Sequence, residues 1–464
     1  MINIDKYKHI HCIGIGGIGL SAIADILVAR GIKITGSDMS ESEKVEELRK
    51  DGVEVYIGHR KENINGAELI VYSSAVGKTN PELIEGEANG IPMITRAEML
   101  GYLMDGCENS IAIAGTHGKT TTTSMISLIL NEAKLDPTLL VGGNLKEIGG
   151  NVRVGCSKYF VTEACEYMDS FLELKPKIEV ILNIDSDHLD YFKDIDHIVD
   201  SFKKFTRLVP EDGTIIAYDA NPFVSKAIKE LPNVLTFGLS ESCNYSALNI
   251  DFDLGGMPSY DFYYNGEFLE HIELSIPGEH NILNSLAAMS CAHLLNVNMD
   301  VAKETLKKYI GTERRFDVQG LIRSGIKIVD DYAHHPTEIK ATLSAAKNME
   351  HNKLWCLFQP HTYTRTIALF DDFAKSFGDA DKIILAEIYA AREKNVDKIS
   401  SESLVPKIKE FFPDKEVLYF NNFDDMKNYV YDNAEEKDLV LTMGAGDIYK
   451  VGEMLIEKDR KNGN

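Results

Sequence analysis

A single local pattern, a short β-branched run followed by a glycine turn and a helical stretch, begins three times along the chain. It appears at the N-terminus, restarts near residue 107 and restarts again after Gly311. Strands that alternate with helices favour parallel sheets joined by crossover helices. The 464 residues also suffice for about three domains of roughly 150 residues each. We therefore predict an α/β fold of three units, residues 1–107, 108–311 and 312–464.

The three units are predicted to differ in their sheets. The patterns of the first and third units are typical of Rossmann-like domains. The middle unit has a phosphate-binding turn and mostly parallel strands, which is typical of a P-loop ATPase-type domain. Residues 244–278 alternate between apolar and polar side chains, as antiparallel strands do. We therefore expect a small antiparallel sheet in the middle unit as well.

The net charge of the chain limits the kinds of molecule that its surface can bind. Asp and Glu total 72 against 49 Lys and Arg, which gives a net charge of −23. A surface this acidic is unsuited to holding nucleic acid or an anionic membrane. The seven cysteines are scattered without a Cys-x-x-Cys pair, and the N-terminal residues lack the apolar core of a signal peptide. We expect a cytoplasmic protein with no nucleic-acid partner, no membrane insertion and no obligatory protein partner.

The first glycine turn has the form G-x-G-x-x-G between a strand and a helix, with glycines at Gly14, Gly16, Gly17 and Gly19. Asp38 ends the next strand nineteen residues beyond Gly19, near the spacing of a ribose-binding acid. Glycines let backbone N–H groups approach an anion at a helix N-terminus. The turn therefore predicts a bound nucleotide diphosphate, and it leaves open whether a nicotinamide is attached. The alternative is a tight turn that needs glycine for steric reasons alone.

The second glycine turn predicts a triphosphate site. It follows strand IAIA and contains Gly115, Thr116, His117, Gly118, Lys119, Thr120 and Thr121. The Gly-Lys-Thr core is that of a phosphate loop, although the first glycine of the full motif would fall at Ile113. The lysine neutralises phosphate charge and the Thr120 hydroxyl reaches Mg²⁺. We expect ATP to bind here.

Two further residues follow buried strands of the middle unit and are candidate metal ligands. Glu163 ends strand FVTE, and His188 follows strand IEVILNID. The carboxyl ends of parallel strands border the ligand crevice, so both side chains are expected near the phosphates. Mg²⁺ prefers oxygen ligands, which leaves His188 open between a ligand and a structural histidine. Nearby carboxylates are expected to be solvated loop charges: Glu166, Asp169, Asp185 and Asp187.

A set of motifs, in order across all three units, resembles the Mur ligase family of ATP-dependent amide ligases. The motifs are SSAVGKTNPE, GTHGKTTTT, TEACEYMDSF, NIDSDHLDYF, PGEHNILN, RRFD, DDYAHHPTE, FQPHTYTRT and MGAGD. The resemblance implies that L-alanine is joined to the carboxylate of UDP-N-acetylmuramic acid through an acyl phosphate, with release of ADP and phosphate. The alternative within the family is a recycling ligase that adds a tripeptide to the same sugar.

The resemblance also implies roles for individual residues. It places ATP against Asn281, Asn284, Arg315 and Asp331, and two Mg²⁺ ions near Thr120, Glu163 and His188. It implies a UDP-sugar pocket built from the first glycine turn, Asp38, His59, Ser73 and Ser74. The amino acid and the acyl intermediate are expected at Tyr332, His334, His361 and Arg365. Catalysis is assigned to Lys119, His188, His335 and Arg365, with His335 or His188 as candidate proton acceptors.

The sequence departs from the usual family pattern at three points. Cys165 stands where an Asp is usual after the first Glu, and Thr362 stands where many relatives have Arg. Several sister ligases carry a carbamylated lysine near the metal, but the register here favours Phe202, so that feature is not carried over.

Two rival classes of function account for less of the chain. A nicotinamide oxidoreductase leaves Lys119 and Glu163 without a purpose, and a nucleotide-dependent switch or motor has no need of the third unit.

We predict that the intact chain binds UDP-N-acetylmuramate and has no comparable affinity for NAD or NADP. A helix N-terminus holds any diphosphate, so selectivity must come from groups beyond it. Calorimetry with the three ligands is the measurement. Tight NAD binding without heat from the UDP-sugar would contradict the assignment of the first unit.

Overall fold

The chain was studied as a computed structural model, which describes residues 4–189, 191–391 and 393–462. The first unit is a parallel sheet with strand order β3-β2-β1-β4-β5. All five residues of β1 are buried, as expected for the central strand of a sheet covered on both faces. The elements are β1 His9–Ile13, α1 Ile18–Ala29, β2 Lys33–Asp38, α2 Glu43–Lys50, β3 Glu54–Ile57, β4 Leu69–Tyr72, α3 Pro81–Ala88, β5 Met93–Thr95 and α4 Arg96–Met104.

The middle unit is built on one mixed sheet with strand order β15-β14-β13-β12-β11-β10-β6-β9-β7-β8. Apolar side chains cover both faces of its parallel strands, and helices α5 and α8 pack together over one face. Its elements are β6 Asn109–Ala114, α5 Lys119–Glu132, β7 Thr138–Leu145, β8 Gly150–Arg153, β9 Tyr159–Ala164, β10 Ile178–Ile181, α6 Ile195–Thr206, β11 Thr214–Tyr218, α7 Pro222–Ala227, β12 Val234–Gly238, β13 Tyr245–Phe252, β14 Pro258–Tyr264, β15 Glu267–Glu273, α8 Glu279–Leu294 and α9 Met299–Lys308.

The third unit has strand order β16-β17-β21-β18-β19-β20, in which only the β16–β17 pair of these strands is antiparallel. Its elements are β16 Asp317–Ile322, β17 Ile326–Asp331, α10 Pro336–Lys347, β18 Leu354–Phe358, α11 Tyr363–Ala368, α12 Phe370–Ala374, β19 Lys382–Ala386, α13 Leu404–Phe411, β20 Glu416–Phe420, α14 Phe423–Asn433, β21 Leu439–Met443 and α15 Tyr449–Asn462. The predicted α/β class with three units is confirmed.

The antiparallel strands β13, β14 and β15 of the middle unit are joined to its main sheet and do not form a separate one. Strands β13, β14 and β15 pair antiparallel, but β13 also pairs in parallel with β12 at Phe237 and Gly238. They therefore extend the main sheet at its edge. The reason is that the edge of β12 offers unpaired backbone groups, and a continuing strand satisfies them.

The units contact one another close to the glycine turns. Helix α1 packs against β7 and β8, and α4 packs against a 3₁₀ segment, Tyr167–Glu173. Helix α10 of the third unit packs against α8 of the middle unit. Across the described ranges, none of the helices combines the length and the apolar character needed to traverse a bilayer.

Glu179 places a carboxyl group in the interior of the main sheet of the middle unit. Glu179 lies on β10 between Ala112 of β6 and Ile215 of β11, and it is fully buried. Neither of its carboxyl oxygens has a hydrogen-bond partner among the described residues. Burial raises the pKa of Glu179 well above its usual range, so the neutral acid is the form that the fold favours.

We predict that Glu179→Met stabilises the middle unit, by about 2 kcal/mol near pH 8. A carboxyl with a raised pKa in the folded state adds no ionisation cost below the pKa of the unfolded chain, and this cost grows as the pH rises above it. The gain should therefore shrink toward about pH 4.5. Urea unfolding across this pH range is the measurement, with the exposed Glu211→Met as the control. An equal or lower stability at pH 8 would contradict the prediction.

Candidate active site

The second glycine turn joins the buried strand β6 to helix α5, and its shape requires glycine. Gly118 caps α5 with φ +85°, and a Cβ there would lie 2.5 Å from Asn284 Oδ1. Gly115 has φ +144°, and its surroundings are the backbone of Asn183 and the Cβ of Leu182. Asn183 fixes the turn because its Oδ1 accepts from the His117 N–H at 2.8 Å and its Nδ2 donates to the His117 carbonyl at 3.0 Å. The turn is thus held from outside before any ligand binds.

Lys119 places a partly buried cation at the centre of this turn. Its Nζ donates to the Gly115 and Thr116 carbonyls at 2.5 and 3.2 Å and to Glu166 Oε2 at 2.9 Å. Burial acts to lower the pKa of Lys119, but the Glu166 carboxylate outweighs it and the net pKa is raised. The lysine is therefore charged at every physiological pH. Glu166 is 2% exposed, so the expectation of a solvated loop charge is wrong for this residue.

A cavity of about 420 Å³ lies beside the turn, between the middle and third units. Asn281 and Asn284 form a buried amide pair at one wall, with Asn284 Nδ2 donating to Asn281 Oδ1 at 3.0 Å. At the other wall burial raises the pKa of Asp331 to about 6, against the nearby Arg315 guanidinium. Of the residues predicted to bind ATP, those lining this cavity are His117, Gly118, Thr121, Asn281, Asn284, Arg315 and Asp331.

The side chains of Glu163 and Thr120 approach a pair of neighbouring glycines on β7. A Cβ at Gly142 would lie 2.5 Å from both carboxylate oxygens of Glu163, whose Oε1 accepts from the Gly142 N–H at 2.6 Å. A Cβ at Gly143 would lie 3.4 Å from the Thr120 methyl. Thr120 and Glu163 thus flank the same backbone, close to Lys119. A hydroxyl and a carboxylate are the kind of donors that Mg²⁺ prefers, so the residues present fit this ion.

A second cavity, of about 360 Å³, connects the first glycine turn with this pair of glycines. Gly14, Gly17, Gly19 and Ser73 line it from the first unit, and Glu163 and Cys165 line it from the middle unit. Arg96, at the start of α4, is the lining cation. Burial raises the pKa of the Cys165 thiol, so its side chain is neutral where an Asp is usual.

The other residues predicted for the UDP-sugar lie near this cavity or behind it. Asp38 Oδ2 accepts from the Gly16 N–H at 2.9 Å and closes the first turn. His59 lies in a buried polar network, where its Nδ1 is 3.0 Å from Ser37 Oγ and 3.3 Å from Glu82 Oε2. Ser74 follows Ser73 at the end of β4. The structure thus separates residues that line the cavity from residues that support its wall.

A third cavity, of about 600 Å³, lies between the segment after β10 and helix α11. His188 lines it with φ +53°, and its ring lies 4.7 Å from the Tyr167 ring. Arg365 lines it too, and its Nε and Nη2 donate to Asp187 Oδ1 at 3.1 and 2.9 Å. Burial acts to raise the pKa of Asp187, but the Arg365 guanidinium holds it below its usual range. Asp187 is 8% exposed, so it is not the solvated charge that was expected.

The histidines of the third unit gather beside this cavity as neutral groups. The His334 ring lies 5.4 Å from Tyr332 and 6.0 Å from His361. Burial lowers the pKa of His361 to about 4 and also lowers the pKa of His334 and His335. His334 Nδ1 contacts the Tyr332 carbonyl at 2.9 Å. Because a carbonyl only accepts, that nitrogen carries the proton and Nε2 keeps its lone pair.

Comparison with known proteins accounts for this arrangement across the chain. The family models described as "Mur ligase family, catalytic domain", "Mur ligase middle domain" and "Mur ligase, glutamate ligase domain" match residues 9–107, 113–292 and 314–446. A relative from Caldanaerobacter subterraneus, named UDP-N-acetylmuramate–L-alanine ligase, is 51% identical and covers 99% of this chain and 100% of its own. The chain belongs to the Mur ligase family. A Clostridium botulinum relative of the same name is 52% identical over 97% of this chain and 98% of its own.

Solved structures of Mur ligases share the fold. The crystal structure of UDP-N-acetylmuramate-alanine ligase MurC from Thermotoga maritima has a TM-score of 0.81 at 27% identity, covering 98% of this chain and 100% of that one. A murein peptide ligase from Psychrobacter arcticus has a TM-score of 0.72 at 24% identity, covering 97% and 98%, and this likeness concerns the fold alone. Mur ligases are ATP-dependent and use Mg²⁺.

Several residues of this Mur ligase site are not among those predicted from the sequence. The sequence pattern favours solvated charges at Glu166 and Asp187, and it gives no role to Asn183, Arg96 or Glu338. Asn183 and Asp187 follow a buried parallel strand, which is where functional side chains concentrate. That signal is present in the sequence. Glu338 stands three residues after His335 at the start of α10, and no local pattern indicates that it reaches the middle unit.

We predict that Gly142→Ala raises the Mg²⁺ concentration for half-maximal activity about tenfold, as loss of a group that orients a ligand does. The added methyl cannot coexist with Glu163 in its observed position, and Glu163→Gln should have the same effect by removing charge. His188→Ala should act less steeply. Magnesium titration of the rate is the measurement, supported by Mn²⁺ binding followed by electron paramagnetic resonance.

The matched control is Gly320→Ala on β16, where a Cβ would make only ordinary contacts with Ile456 at 3.5 Å. It should titrate like the unmodified chain. If Gly142→Ala and Glu163→Gln both show the magnesium dependence of the unmodified chain, the two residues have a structural role only and do not hold the metal ion.

Proposed function

We propose that the chain is an ATP-dependent ligase that joins L-alanine to the carboxylate of UDP-N-acetylmuramic acid, in peptidoglycan precursor synthesis. The observation that carries the proposal is the near full-length identity of about half with relatives of that name. The three cavities around the two glycine turns support it, because a ligase of this kind must hold three substrates together. The recycling ligase that adds a tripeptide is not favoured by these relatives.

Each unit is assigned one substrate. Residues 1–107 hold the UDP-sugar, with the diphosphate at the first glycine turn and the sugar extending along the cavity toward Glu163. Residues 108–311 hold ATP at the second turn. Residues 312–464 hold the amino acid beside His361 and Arg365. Glu163 lines the sugar cavity, and Thr120 lies beside the neighbouring Gly143, so this end of the cavity is where we place the muramyl carboxylate against the γ-phosphate.

The first step is phosphorylation of the muramyl carboxylate to an acyl phosphate, since a free carboxylate is a poor acyl donor. Lys119 is preset for this step, because its ammonium is held inside the loop that we assign to the triphosphate, where charge shifts during phosphoryl transfer. Mg²⁺, held by Thr120 and Glu163 with a second ion near His188, would neutralise phosphate charge. Closure of the units around the cavities excludes water from the acyl phosphate.

The second step is attack by the alanine amine, which must lose a proton. His335 has both ring nitrogens engaged, with Nε2 3.0 Å from the Ser186 carbonyl and Nδ1 3.3 Å from the Thr337 amide. His334 Nε2 keeps a lone pair, and burial lowers its pKa so that the ring is neutral. We therefore place the proton acceptor at His334. The assignment of His335 or His188 as proton acceptor stays a prediction from the family resemblance.

The cytoplasmic location and the absence of an obligatory protein partner also stay predictions from the sequence.

The test is a phosphate-release assay with ATP, UDP-N-acetylmuramate and L-alanine, each omitted in turn. Release should require all three, and Lys119→Ala should lower kcat by about a thousandfold at saturating ATP, because it removes a charge that acts mainly in the transition state. The exposed Lys158→Ala, which pairs with Glu108 at the surface, is the control. Release with a tripeptide but not with alanine, or near-normal turnover of Lys119→Ala, would contradict the proposal.

A further inference from the structure

A buried carboxylate of the first unit lies behind the residues predicted for the UDP-sugar. Glu82, on α3, is fully buried, and its Oε2 accepts from Ser37 Oγ at 2.6 Å. Its Oε1 accepts from Asn63 Nδ2 at 2.5 Å and from the Arg60 backbone N–H at 3.3 Å. Burial acts to raise the pKa of this carboxyl, but the nearby His11 ring and the bonds from Ser37 and Asn63 lower it overall. Glu82 is therefore an ionised carboxylate, which only accepts hydrogen bonds.

The hydrogen bonds to Glu82 decide which nitrogen of His59 carries the proton. Ser37 has a single hydroxyl hydrogen, and Glu82 accepts it at 2.6 Å. His59 Nδ1 lies 3.0 Å from Ser37 Oγ and 3.3 Å from Glu82 Oε2. Both oxygens can only accept from this nitrogen, so Nδ1 carries the hydrogen. In the neutral ring Nε2 therefore keeps its lone pair and is an acceptor.

The acceptor nitrogen of His59 is available to a ligand. The side chain is 13% exposed, and its Nε2 has no hydrogen-bond partner in the part of the chain that the structure describes. His59 follows β3, and the preceding Gly58 donates its N–H to the Asp38 carbonyl at 2.8 Å. The ring thus lies beside the carboxyl ends of β2 and β3, next to the glycine turn that Asp38 closes.

This position suits the base of the UDP-sugar. When a diphosphate lies at such a glycine turn, the acid that ends the second strand lies at the ribose. In the proposed function the sugar extends toward Glu163, so the uridine leaves the turn on the side of Asp38, and the base beyond the ribose meets His59. Proteins read a single base on its pairing edge. The uracil edge has one donor, N3–H, between two carbonyl oxygens, whereas N3 of cytosine is an acceptor.

We propose that Glu82 is a positioning residue that fixes the tautomer of His59, so that Nε2 accepts from uracil N3–H and the site prefers uracil to cytosine. The inference rests on the proposed function, in which the first unit holds a UDP-sugar. With the diphosphate anchored at the first turn, a cytosine would bring its N3 lone pair against the Nε2 lone pair, and a hydrogen bond would be lost. Glu82 acts through His59, because the carboxylate itself is fully buried.

Glu82→Gln is the decisive substitution, because it reverses the pattern of donors. The Oε1 position stays an oxygen, since Asn63 and the Arg60 N–H both donate to it. The new amide NH₂ therefore takes the place of Oε2 and donates toward Ser37 and His59 Nδ1. Nδ1 then becomes the acceptor, and Nε2–H faces the base. This arrangement suits N3 of cytosine and opposes N3–H of uracil.

The test is calorimetric competition at pH 8, where a free imidazole is neutral, with UDP and CDP displacing UDP-N-acetylmuramate from the full chain. UDP should bind the unmodified chain at least about tenfold more tightly than CDP. In Glu82→Gln this ratio should fall by at least about tenfold, chiefly through weaker binding of UDP. His59→Asn should bring the ratio near one, because its amide can turn either an oxygen or an NH₂ to the base.

The control is Glu87→Gln, at an exposed glutamate of the same helix α3, which should keep the UDP-to-CDP ratio of the unmodified chain. A merely structural Glu82 would weaken UDP and CDP equally, so an unchanged ratio in Glu82→Gln would overturn the inference. Two nucleotides that displace the UDP-sugar from the unmodified chain equally well, or that both fail to displace it, overturn it too. If Glu82→Gln does not fold, the His59→Asn ratio decides. An unmodified chain that binds no UDP-N-acetylmuramate refutes the proposed function itself, which distinguishes the two failures.

Discussion

The segment after β10, residues 183–188, is the part of the molecule on which the rest of the site depends. Asn183 holds the phosphate loop by two hydrogen bonds to His117. Asp185 contacts His117 and Thr337, the Ser186 carbonyl meets His335, and Asp187 receives Arg365. Successive residues of one short segment thus bind the loop on one side and the third unit on the other. A substitution in this segment therefore alters the contacts with the phosphate loop and the contacts with the third unit at once.

The ion pairs of the site serve mainly to fix the positions of charged groups and contribute little net free energy of folding. Taking a carboxylate and a cation out of water costs several kcal/mol each, and their attraction only offsets this when the hydrogen bonds are complete. Lys119 with Glu166, and Arg365 with Asp187, satisfy that condition. What they provide is a fixed set of charges around the cavities. In a chain of net charge −23, such local cations are what allow phosphate and carboxylate groups to bind at all.

The fold and the glycine turns could be predicted because their causes are local. Gly118 is required by its own φ angle, and the strand before it is buried on both faces, so the sequence pattern carries the information. The partners of the charges could not be predicted in the same way. His117 and Glu338 are 221 residues apart, and nothing near either residue indicates that the two meet. For the same reason Asp187, whose partner Arg365 lies 178 residues away in the third unit, resembles an ordinary loop acid in the sequence, and so does Glu166, whose partner Lys119 lies 47 residues away within the middle unit.

The departures from the family pattern have a physical consequence at the amino-acid end of the site. Thr362 has φ +67° and donates its backbone N–H to the Tyr389 carbonyl at 2.9 Å, so this position supplies no cation to the cavity. In the proposed function, the amino-acid carboxylate then depends on Arg365. That guanidinium already gives Nε and Nη2 to Asp187, and its Nη1 faces His361 Nδ1 at 3.2 Å. Burial lowers the pKa of His361, so Nη1 faces a neutral ring, and the two hydrogen bonds to Asp187 set the direction in which that edge of the guanidinium points.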